Sequence, residues 1–371
     1  MFTYEAPLHC AKISLNNSVF ASVRVVGAGL IGTSIALALK SYGKKVEIID
    51  IQPAAQLLAV DLVKGEQISH PELILIAVPV DVTEEVVLEQ ISSNPNSLVC
   101  DLSSVKSDLQ LKVKQLSGNT KNFISLHPMA GREVSGAEGA RADLFDGRAW
   151  IAIENLDADD RAKGIISELI KICSGTAYWM SATEHDEVVA SLSHLPQILS
   201  SALAAQLNAI SEENLSTAGQ GLRDVTRLAK SDAQLWTKIL LNNSQSISVA
   251  LLRLIDDLSK LEKDLSSKNE RNVKSFLQSG IEGKDRIPGK HGAKERDYSF
   301  LPIVIDDKPG QLARIFIECA QVNVNVEDLS IEHSPGQETG LITLALSQAD
   351  CQKLSLHLIE QGFKVHPAKY R

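Results

Sequence analysis

The sequence predicts an α/β protein built from a doubly wound parallel sheet, an all-helical domain and a small βαββαβ unit. Strand and helix patterns alternate over residues 23–155, which is typical of a Rossmann-type parallel sheet covered by helices on both faces. Residues 156–280 are helical in pattern almost throughout, and a new succession of strands and helices occupies residues 298–371. Residues 281–297 are rich in glycine and charge, which predicts a linker, and residues 1–22 form an N-terminal extension.

The composition excludes several classes of protein. The formal net charge of −9 offers no basic surface for nucleic acid or for an anionic membrane. The five cysteines are scattered and lack metal-ligand spacing, which indicates reduced thiols in a cytoplasmic protein. No apolar run approaches the roughly 18 residues of a membrane span, and residues 1–22 lack the cationic and apolar segments of a signal peptide. We therefore expect a cytoplasmic protein that binds neither nucleic acid nor membrane.

A glycine-rich turn follows the first predicted strand, residues 23–26. Its sequence, Gly-Ala-Gly-Leu-Ile-Gly over residues 27–32, has the G-x-G-x-x-G spacing that binds dinucleotides between a strand and a helix. Gly27 permits the tight turn, Gly29 lets the backbone approach a pyrophosphate, and Gly32 lets helix and strand pack closely. The N-terminus of the helix then offers N–H groups and partial positive charge to the phosphates.

Asp50 ends the second predicted strand, residues 46–49, and lies 18 residues after Gly32. An acid at this distance accepts hydrogen bonds from the ribose hydroxyls of NAD and repels the 2′-phosphate of NADP. Because Ile51 and Gln52 follow it, and no arginine does, the sequence favours NAD as the cofactor. The alternative is a tight strand-to-helix turn with a surface aspartate.

His127 is the most informative residue among the later elements of this domain. Further strands are predicted over residues 73–78, 97–101, 123–126 and 148–153, with helices over residues 82–91 and 105–116. Pro128 favours extended geometry at His127, and Gly131 lets the chain turn away, so His127 is expected at the carboxyl edge of the sheet. Ligands bind at that edge, and an imidazole with a pKa of about 6.5 can accept a proton there. The alternative is a structural histidine at a strand end.

Ser104 is expected at the same carboxyl edge, just after the neighbouring strand, residues 97–101. One interpretation is a hydrogen bond to His127 or to a substrate hydroxyl. The other is a helix N-cap, a position at which serine is favoured.

The helical domain contains one long apolar helix. A helix is predicted over residues 161–173, and another runs from Thr183 past Leu207 with a bend at Pro196. The second helix is apolar nearly all round, so it should be buried, with a second subunit as its cover. His185 and His194 lie on it without a carboxylate or cysteine at matching spacing, and no metal site is expected.

Two arginines follow this helix at helical spacing. If residues 219–231 form one helix, Arg223, Arg227 and Ser231 share a face, and two guanidinium groups in line can bind carboxylates. The alternative is a solvated basic face in which Asp224 pairs with Arg227.

These motifs together resemble the prephenate and arogenate dehydrogenases of tyrosine biosynthesis, over nearly the whole chain beyond the N-terminal extension. The motifs that carry the resemblance are Gly27-Ala28-Gly29-Leu30-Ile31-Gly32, Asp101-Leu102-Ser103-Ser104-Val105-Lys106, His127-Pro128-Met129-Ala130-Gly131, Asp186 with Ser193-His194-Leu195-Pro196, and Arg223-Asp224-Val225-Thr226-Arg227-Leu228-Ala229. The resemblance implies a nucleotide-binding domain followed by a helical dimerisation domain, acting on a dihydroaromatic dicarboxylate.

The resemblance also assigns roles to single residues. His127 matches the general base, Ser104 the serine that bonds this histidine and the substrate hydroxyl, and Arg227 the arginine that holds a substrate carboxylate. Gln197 stands where several relatives have histidine, and glutamine cannot carry a proton or a charge. The remaining residues matched to the substrate pocket are Arg223, Ser231 and Trp236, and those matched to the cofactor site, beyond the glycines and Asp50, are Leu30, Ile31, Val78, Pro79 and Ser103.

The C-terminal unit has the strand and helix order of a split βαββαβ domain, and it includes a turn at residues 334–336. It resembles the ACT domain, a module that senses amino acids, often between two paired copies. The residues matched to its effector site are Asp307, Pro309, Gly310, Gln311, Leu312, Asn323 and Asn325. Tyrosine is the effector that the resemblance implies, and a passive dimerisation module is the alternative.

The sequence therefore leads to an NAD-dependent prephenate dehydrogenase, a homodimer regulated by tyrosine. Arogenate dehydrogenase is the first alternative, because Gln197 leaves the substrate side chain undetermined. A catalytically silent amino-acid-binding regulator is the second, and the presence of Ser104, His127 and Arg227 argues against it.

Overall fold

The computed structural model describes residues 18–117, 120–131, 134, 136–287, 298–332 and 338–370. Most of the predicted N-terminal extension, the second part of the predicted linker and the predicted turn at residues 334–336 lie outside these ranges. The chain divides into two compact units, one ending at Lys274 and the other beginning at Ser275, and each is described by itself.

The first unit begins with a parallel sheet of four strands. Its elements are β1 (Ser22–Val26), α1 (Leu30–Ser41), β2 (Lys45–Ile49), α2 (Pro53–Val63), β3 (Leu73–Ile76), α3 (Val80–Ser93), β4 (Leu98–Asp101) and α4 (Ser107–Leu116). The strand order is β2-β1-β3-β4, and all pairs are parallel. Strands β2 and β3 lie on opposite sides of β1, so a topological switch point opens at the carboxyl end of β1, where such sheets bind ligands. The predicted Rossmann-type sheet is confirmed here.

The strands after α4 form a second sheet, which was not predicted. It contains β5 (Leu126–Pro128), β6 (Ala149–Ile153) and β7 (Thr176–Met180), and β5 pairs with β6 antiparallel. Phe123 makes a parallel bridge to Val99 of β4, and the chain then leaves the first sheet. The connection from β5 to β6 has a short 3-10 turn, Ala137–Gly139, in place of the crossover helix that a parallel pairing requires. His127 therefore lies in the edge strand of the second sheet, not at the end of a fifth parallel strand.

The described part of the N-terminal extension is firmly attached. Lys44 is buried, and its Nζ donates to the carbonyl oxygen of Phe20 at 2.6 Å and to Glu168 at 2.6 Å. Glu168 also accepts hydrogen bonds from Ser18 Oγ and Val19 N. Residues 18–21 thus belong to the folded domain, which begins before the predicted boundary.

Helices dominate the rest of this unit. They are α5 (Asp160–Ile172), α6 (Ala182–Val189), α7 (Leu195–Gln206), α8 (Glu212–Leu215), α9 (Gln220–Thr226), α10 (Ala233–Asn242) and α11 (Ser244–Ser266), and the boundary between the units at Lys274 falls within the next helix, α12 (Glu270–Asp285). The predicted long helix is divided between α6 and α7 by a five-residue π-helical segment, Ala190–His194. Pro196 is the second residue of α7, just after this segment. π segments of this kind are frequent at functional sites.

The helical stretch Ala182–Ala209 is long and apolar enough to cross a membrane, judged by length and composition only. The expectation that no segment reaches this length was wrong. The stretch also carries buried polar residues, among them His185, Asp186 and His194, which a helix in lipid would rarely present. The predicted burial of its C-terminal half is not found within one chain, because Leu203 is 39% exposed and its neighbours are mostly exposed.

Beyond the end of α12, the second unit is an antiparallel sheet with two helices. Its elements are β8 (Ser299–Asp306), α13 (Gln311–Gln321), β9 (Asp328–Glu332), β10 (Thr339–Leu346), α14 (Gln348–Glu360), β11 (Lys364–Val365) and β12 (Lys369–Tyr370). The sheet order is β11-β8-β10-β9, and β12 also pairs with β8. Side chains from both helices, such as Ile315 and Leu358, share one core with alternate residues of β8 and β10.

The predicted linker begins too early. Helix α12 continues to Asp285 through Gly280 and Gly283, so the first part of the predicted linker, residues 281–285, is helical. A glycine inside a helix costs about 1 kcal/mol relative to alanine, which weakens a helix but does not by itself end it.

Candidate active site

The glycines after β1 differ in the space around them. Gly27 has φ +109°, and a Cβ on it would lie 2.3 Å from the carbonyl oxygen of Ala77, just beyond β3. A Cβ on Gly32 would lie 2.1 Å from the carbonyl oxygen of Gly27, whereas nothing lies within 4 Å of a Cβ on Gly29. The first and third glycines are thus required by packing, and the second leaves open space in front of the first turn of α1. This is the cradle that a pyrophosphate needs.

The other predicted cofactor residues border this cradle, with one exception. Asp50 Oδ2 accepts a hydrogen bond from Ala28 N at 2.7 Å, which fixes the carboxylate beside the glycine turn. Leu30 and Ile31 form the start of α1, and Val78 and Pro79 lead from β3 into α3. Ser103 differs, because its buried Oγ bonds Asp101 at 2.5 Å and the carbonyl oxygen of Val105 at 2.9 Å. Its hydroxyl therefore holds the loop after β4.

His127 has a partner that the sequence did not predict. Its Nδ1 lies 2.9 Å from His185 Nε2, and His185 Nδ1 lies 2.8 Å from Asp186 Oδ1. Ser104 makes no hydrogen bond to any residue that the structure describes, and it is not an N-cap either, because α4 begins at Ser107. In place of the expected pair of Ser104 and His127, the structure has a row of three hydrogen-bonded side chains, His127, His185 and Asp186.

Asp186 connects the helical domain to the sheet domain. Its Oδ1 accepts from Lys106 N at 2.9 Å and its Oδ2 from Ser107 N at 2.8 Å, at the start of α4. Burial acts to raise the pKa of the Asp186 carboxyl, but the hydrogen bonds from His185, Ser107 and Lys106 outweigh it and the pKa is lowered. The carboxylate therefore remains ionised and only accepts hydrogen bonds.

Lys106 holds the strand that carries His127. It is fully buried, and its Nζ donates to Asp101 Oδ1 at 2.5 Å and to the carbonyl oxygen of Leu126 at 2.8 Å. Asp101 also accepts a short hydrogen bond from Ser125 Oγ. A buried ammonium paired and hydrogen-bonded in this way is costly to disturb, because removing one partner leaves the other charge uncompensated.

The surroundings of His127 favour its neutral form. Burial lowers the pKa of His127 well below 6.5, and the neighbouring His185, Lys106 and His194 lower it further. Burial is also the main cause of the lowered pKa of His185, although Asp186 acts in the opposite direction. At neutral pH both rings are therefore uncharged, and His127 can accept a proton.

His194 links this row to a neighbouring cavity. Asn243 Nδ2 donates to the carbonyl oxygen of Asp186 at 2.8 Å and lies 3.2 Å from His194 Nδ1. Burial and the nearby His185 lower the pKa of His194 to about 4, so the ring is neutral and accepts from the amide. On its other side, the ring meets Trp236 edge-on, with centroids 6.1 Å apart.

A cavity of about 290 Å³ lies beside Trp236 in the helical domain. Three predicted substrate residues line it, namely Gln197, Ser231 and Trp236, and the rest of its wall is largely apolar. Gln197 Nε2 donates to the carbonyl oxygen of Leu228 at 2.9 Å, and Ser231 Oγ donates to the same oxygen at 2.8 Å. A carbonyl oxygen can only accept, so the amide must direct its NH₂ group to Leu228 and keep Oε1 beside Ser231.

The two arginines do not lie on one continuous helix, as was predicted. Helix α9 ends at Thr226, a 3-10 turn covers Arg227–Lys230, and Ser231 is extended with ψ 156°. Asp232 then caps the next helix, α10. Arg223 and Arg227 are both exposed, and Asp224 accepts from Gln220 at 2.8 Å.

His185 and Lys106 are the residues that the sequence analysis missed. His185 was considered only as a metal ligand, and no group of metal-ligating side chains occurs among the described residues. The adjacent pair His185-Asp186 on a helix was the available signal, but nothing in the sequence showed that α6 packs against the start of α4. Lys106 was visible only as the last residue of a motif.

Comparison with known proteins identifies the family. Residues 35–178 match the family model for the prephenate dehydrogenase nucleotide-binding domain, and residues 181–279 match the model for its dimerization domain. The prephenate dehydrogenase of Lactococcus lactis is 29% identical over 360 residues, covering 92% of this chain and 98% of its own. The prephenate dehydrogenase of Bacillus subtilis is 26% identical over 364 residues, covering 93% and 97%.

A solved structure supports the same assignment. Prephenate dehydrogenase from A. aeolicus, in complex with hydroxyphenyl propionate and NAD⁺, aligns with a TM-score of 0.66 at 27% identity. The alignment covers 72% of this chain and 98% of that chain. The two family models together span well over half of the chain, and they assign its sheet domain to nucleotide binding and its helical domain to dimerisation. This chain belongs to the prephenate dehydrogenase family.

Proposed function

We propose that the protein is an NAD-dependent prephenate dehydrogenase, which converts prephenate to 4-hydroxyphenylpyruvate with loss of carbon dioxide. The observation that carries the proposal is a neutral histidine, His127, held at the junction between a nucleotide-binding domain and a helical domain with a partly open cavity. The relatives from Lactococcus lactis and Bacillus subtilis, aligned over nearly their full length, are prephenate dehydrogenases.

The residues present fit NAD. Gly27 and Gly32 have no room for side chains, Gly29 faces open space, and Asp50 stands beside the turn to accept hydrogen bonds from ribose hydroxyls. The carboxylate would repel a 2′-phosphate, which favours NAD over NADP. Bound in this cradle, NAD⁺ supplies the hydride acceptor of the reaction.

The residues of the chain supply the base and the positioning. His127 takes the proton of the substrate C4 hydroxyl, and a hydride leaves C4 as the C4–O bond becomes a ketone. The bond from C1 to the carboxylate then breaks, carbon dioxide leaves, and its electron pair flows through the ring to give the phenol oxygen, which recovers a proton. Arg227 holds a substrate carboxylate and Ser104 bonds the C4 hydroxyl in this scheme. Aromatisation of the ring provides most of the driving force.

A four-way rate comparison tests this proposal. Initial rates of NADH or NADPH formation are measured with prephenate and with arogenate, each under NAD⁺ and under NADP⁺. We expect the highest kcat/KM with prephenate and NAD⁺. Higher kcat/KM with arogenate would overturn the substrate assignment, and higher kcat/KM with NADP⁺ would overturn the role of Asp50.

Arogenate is the second candidate substrate, and the orientation of Gln197 favours it. The amide donates its NH₂ group to the carbonyl oxygen of Leu228, and its Oε1 lies beside Ser231 at the cavity wall. An acceptor suits the ammonium group of arogenate, whereas the ketone of prephenate offers no donor. The dehydrogenase chemistry is the same for both substrates.

Replacing Gln197 by histidine is expected to raise the ratio of kcat/KM for prephenate to that for arogenate about tenfold. A histidine can donate to the ketone, and one hydrogen bond is worth about 1 kcal/mol or somewhat more. Ile198→Val, another change in the wall of the cavity, is the control and should leave the ratio unchanged. An unaltered ratio in Gln197→His would show that this wall does not contact the substrate side chain.

The C-terminal unit is proposed to be an ACT domain that binds tyrosine. The predicted effector residues lie at opposite ends of α13, with Gly310 at its start and Asn323 just after its end. An 11-residue helix is about 16 Å long, so one copy does not gather them around a single amino acid. Two paired copies can do so, because each supplies one end. Homodimerisation and a cytoplasmic location complete the proposal.

Tyrosine is therefore expected to lower the initial rate several-fold or to change the oligomeric state, while phenylalanine at the same concentration does less. Steady-state rates and light scattering with and without each amino acid measure this. Asn325→Ala should weaken the response without altering the rate in the absence of tyrosine. The sensing role fails if tyrosine alters neither the rate nor the assembly.

A further inference from the structure

His127 can act as a base through only one of its two ring nitrogens, and the structure indicates which. We infer that His185 and Asp186 are positioning residues that keep the proton of neutral His127 on Nδ1, so that Nε2 faces the substrate as the base. The inference rests on the proposed function only for the identity of the substrate. The tautomer itself follows from the hydrogen bonds.

The direction of the hydrogen bonds is set at Asp186. Its carboxylate receives the N–H groups of Lys106 and Ser107, at 2.9 Å and 2.8 Å, and it has no proton to give. The contact of 2.8 Å with His185 Nδ1 therefore requires that His185 donates. Since a neutral imidazole carries one proton, His185 Nε2 is left with a lone pair.

The hydrogen bond between the two histidines then fixes the position of the proton on His127. Its Nδ1 lies 2.9 Å from His185 Nε2, which can only accept, so His127 Nδ1 must hold the proton. Its Nε2 is then unprotonated and is the only ring nitrogen available to a substrate hydroxyl. In the other tautomer two lone pairs would face each other at hydrogen-bond distance, and the contact would be lost.

The groups around the two rings support this arrangement. Lys106 directs its ammonium to Asp101 and to the carbonyl oxygen of Leu126. His194 accepts from Asn243 and is neutral. The Lys106 ammonium opposes positive charge on His127 before the reaction, and Asp186 is an anion that can stabilise that charge afterwards. Once Nε2 has taken the substrate proton, the Nδ1–H bond to His185 becomes charge-assisted, with Asp186 beyond it.

The tautomer can be read directly from the protein without substrate. In histidine labelled with ¹⁵N, the two ring nitrogens of His127 have distinct shifts according to which is protonated, and the spectrum of His127→Asn identifies the lost signals. We expect a protonated Nδ1 and an unprotonated Nε2 near pH 7. A protonated Nε2 in the unaltered enzyme would overturn the inference, whatever the substrate proves to be.

Kinetics separate positioning from simple support of the fold. His185→Leu removes the acceptor and is expected to lower kcat about 10²-fold while KM changes less than threefold, because the base is then in the wrong tautomer for much of the time. His185→Gln can donate its NH₂ group to Asp186 and accept from His127 Nδ1 with its carbonyl oxygen, so kcat should recover to within about tenfold. Both substitutions occupy the same buried site.

The two variants also supply the contradicting outcomes. If His185→Leu keeps kcat, or if folded His185→Gln is as slow as His185→Leu, then orientation of His127 by His185 is not required. The ¹⁵N spectrum of His185→Leu should show His127 in both tautomers, and an unchanged spectrum would also contradict the inference. If the unaltered enzyme has no dehydrogenase activity, the proposed function fails. The ¹⁵N spectrum still tests the tautomer in that case.

Discussion

Replacing His127 by asparagine is expected to lower kcat with prephenate about 10³-fold and to leave KM within a few-fold of its value. A positioned general base contributes roughly 10²–10⁴-fold, and asparagine keeps the size and polarity of the site without accepting the proton. The measurement is the steady-state rate of NADH formation under saturating NAD⁺. His70→Asn, a change of an exposed histidine on the sheet domain, is the matched control and should be silent.

The lowered pKa of His127 gives this prediction a pH dependence. The neutral form is active, so kcat/KM should fall only as the pH drops through the pKa of His127, which lies well below 6.5. The enzyme should therefore keep full activity at pH 6.5, where an ordinary histidine would be half protonated. An acid limb centred at or above 6.5, or a turnover of His127→Asn equal to that of the unaltered enzyme, would remove His127 from the mechanism.

Replacing Arg227 by alanine is expected to raise KM for prephenate about 10²-fold with a smaller change in kcat. A hydrogen-bonded charge pair is worth roughly 1.5–3 kcal/mol, and the substrate carboxylate would lose its partner in both the ground state and the transition state. Arg227→Lys should recover only part of the loss, because an ammonium cannot form the bidentate contact. The variants are compared by full Michaelis curves.

Exposed arginines elsewhere provide the control for this change. Arg161→Ala on α5 removes the same charge and should leave KM unaltered, which excludes an effect of net charge alone. Arg223 lies on α9, before the 3-10 turn that carries Arg227, so its removal should raise KM by less. Equal KM values for Arg227→Ala and the unaltered enzyme would place the carboxylate site elsewhere.

The nucleotide domain was predictable because its signals are local. The glycine spacing, the flanking strands and Asp50 each reflect a steric or electrostatic need within about 25 residues of chain. The structure then places Gly27 against Ala77, a contact with a distant strand that the sequence could only imply. The strand and helix order of the C-terminal unit was predictable for the same reason, since apolar alternation and turn residues mark each element.

The surroundings of His127 were not predictable, because they depend on packing between distant elements. Proline and glycine correctly indicated a presented histidine, but the partner of that histidine comes from α6, 58 residues later. Ser104 seemed the nearer choice, on the assumption that residues 123–126 continued the parallel sheet. The antiparallel pairing of β5 with β6 invalidated that assumption.

The backbone around Arg227 was also predicted wrongly from the sequence, for a different reason. Spacing of four residues predicted a shared face, but Asp232 is a strong N-cap whose carboxylate accepts from Leu235 N at 2.9 Å. That cap starts a new helix just after the 3-10 turn. Such a cap stabilises a helix by about 1 kcal/mol, and periodicity alone does not reveal it.

The most direct test of the assignment is the stoichiometry of a single reaction. Purified enzyme, prephenate and NAD⁺ are incubated, and NADH, carbon dioxide and 4-hydroxyphenylpyruvate are measured together over time. An oxidative decarboxylation that uses His127 as its base predicts equal amounts of the three products at every time point, and formation of all three about 10³-fold slower with His127→Asn. NADH formed without carbon dioxide, or carbon dioxide formed without NADH, would contradict it.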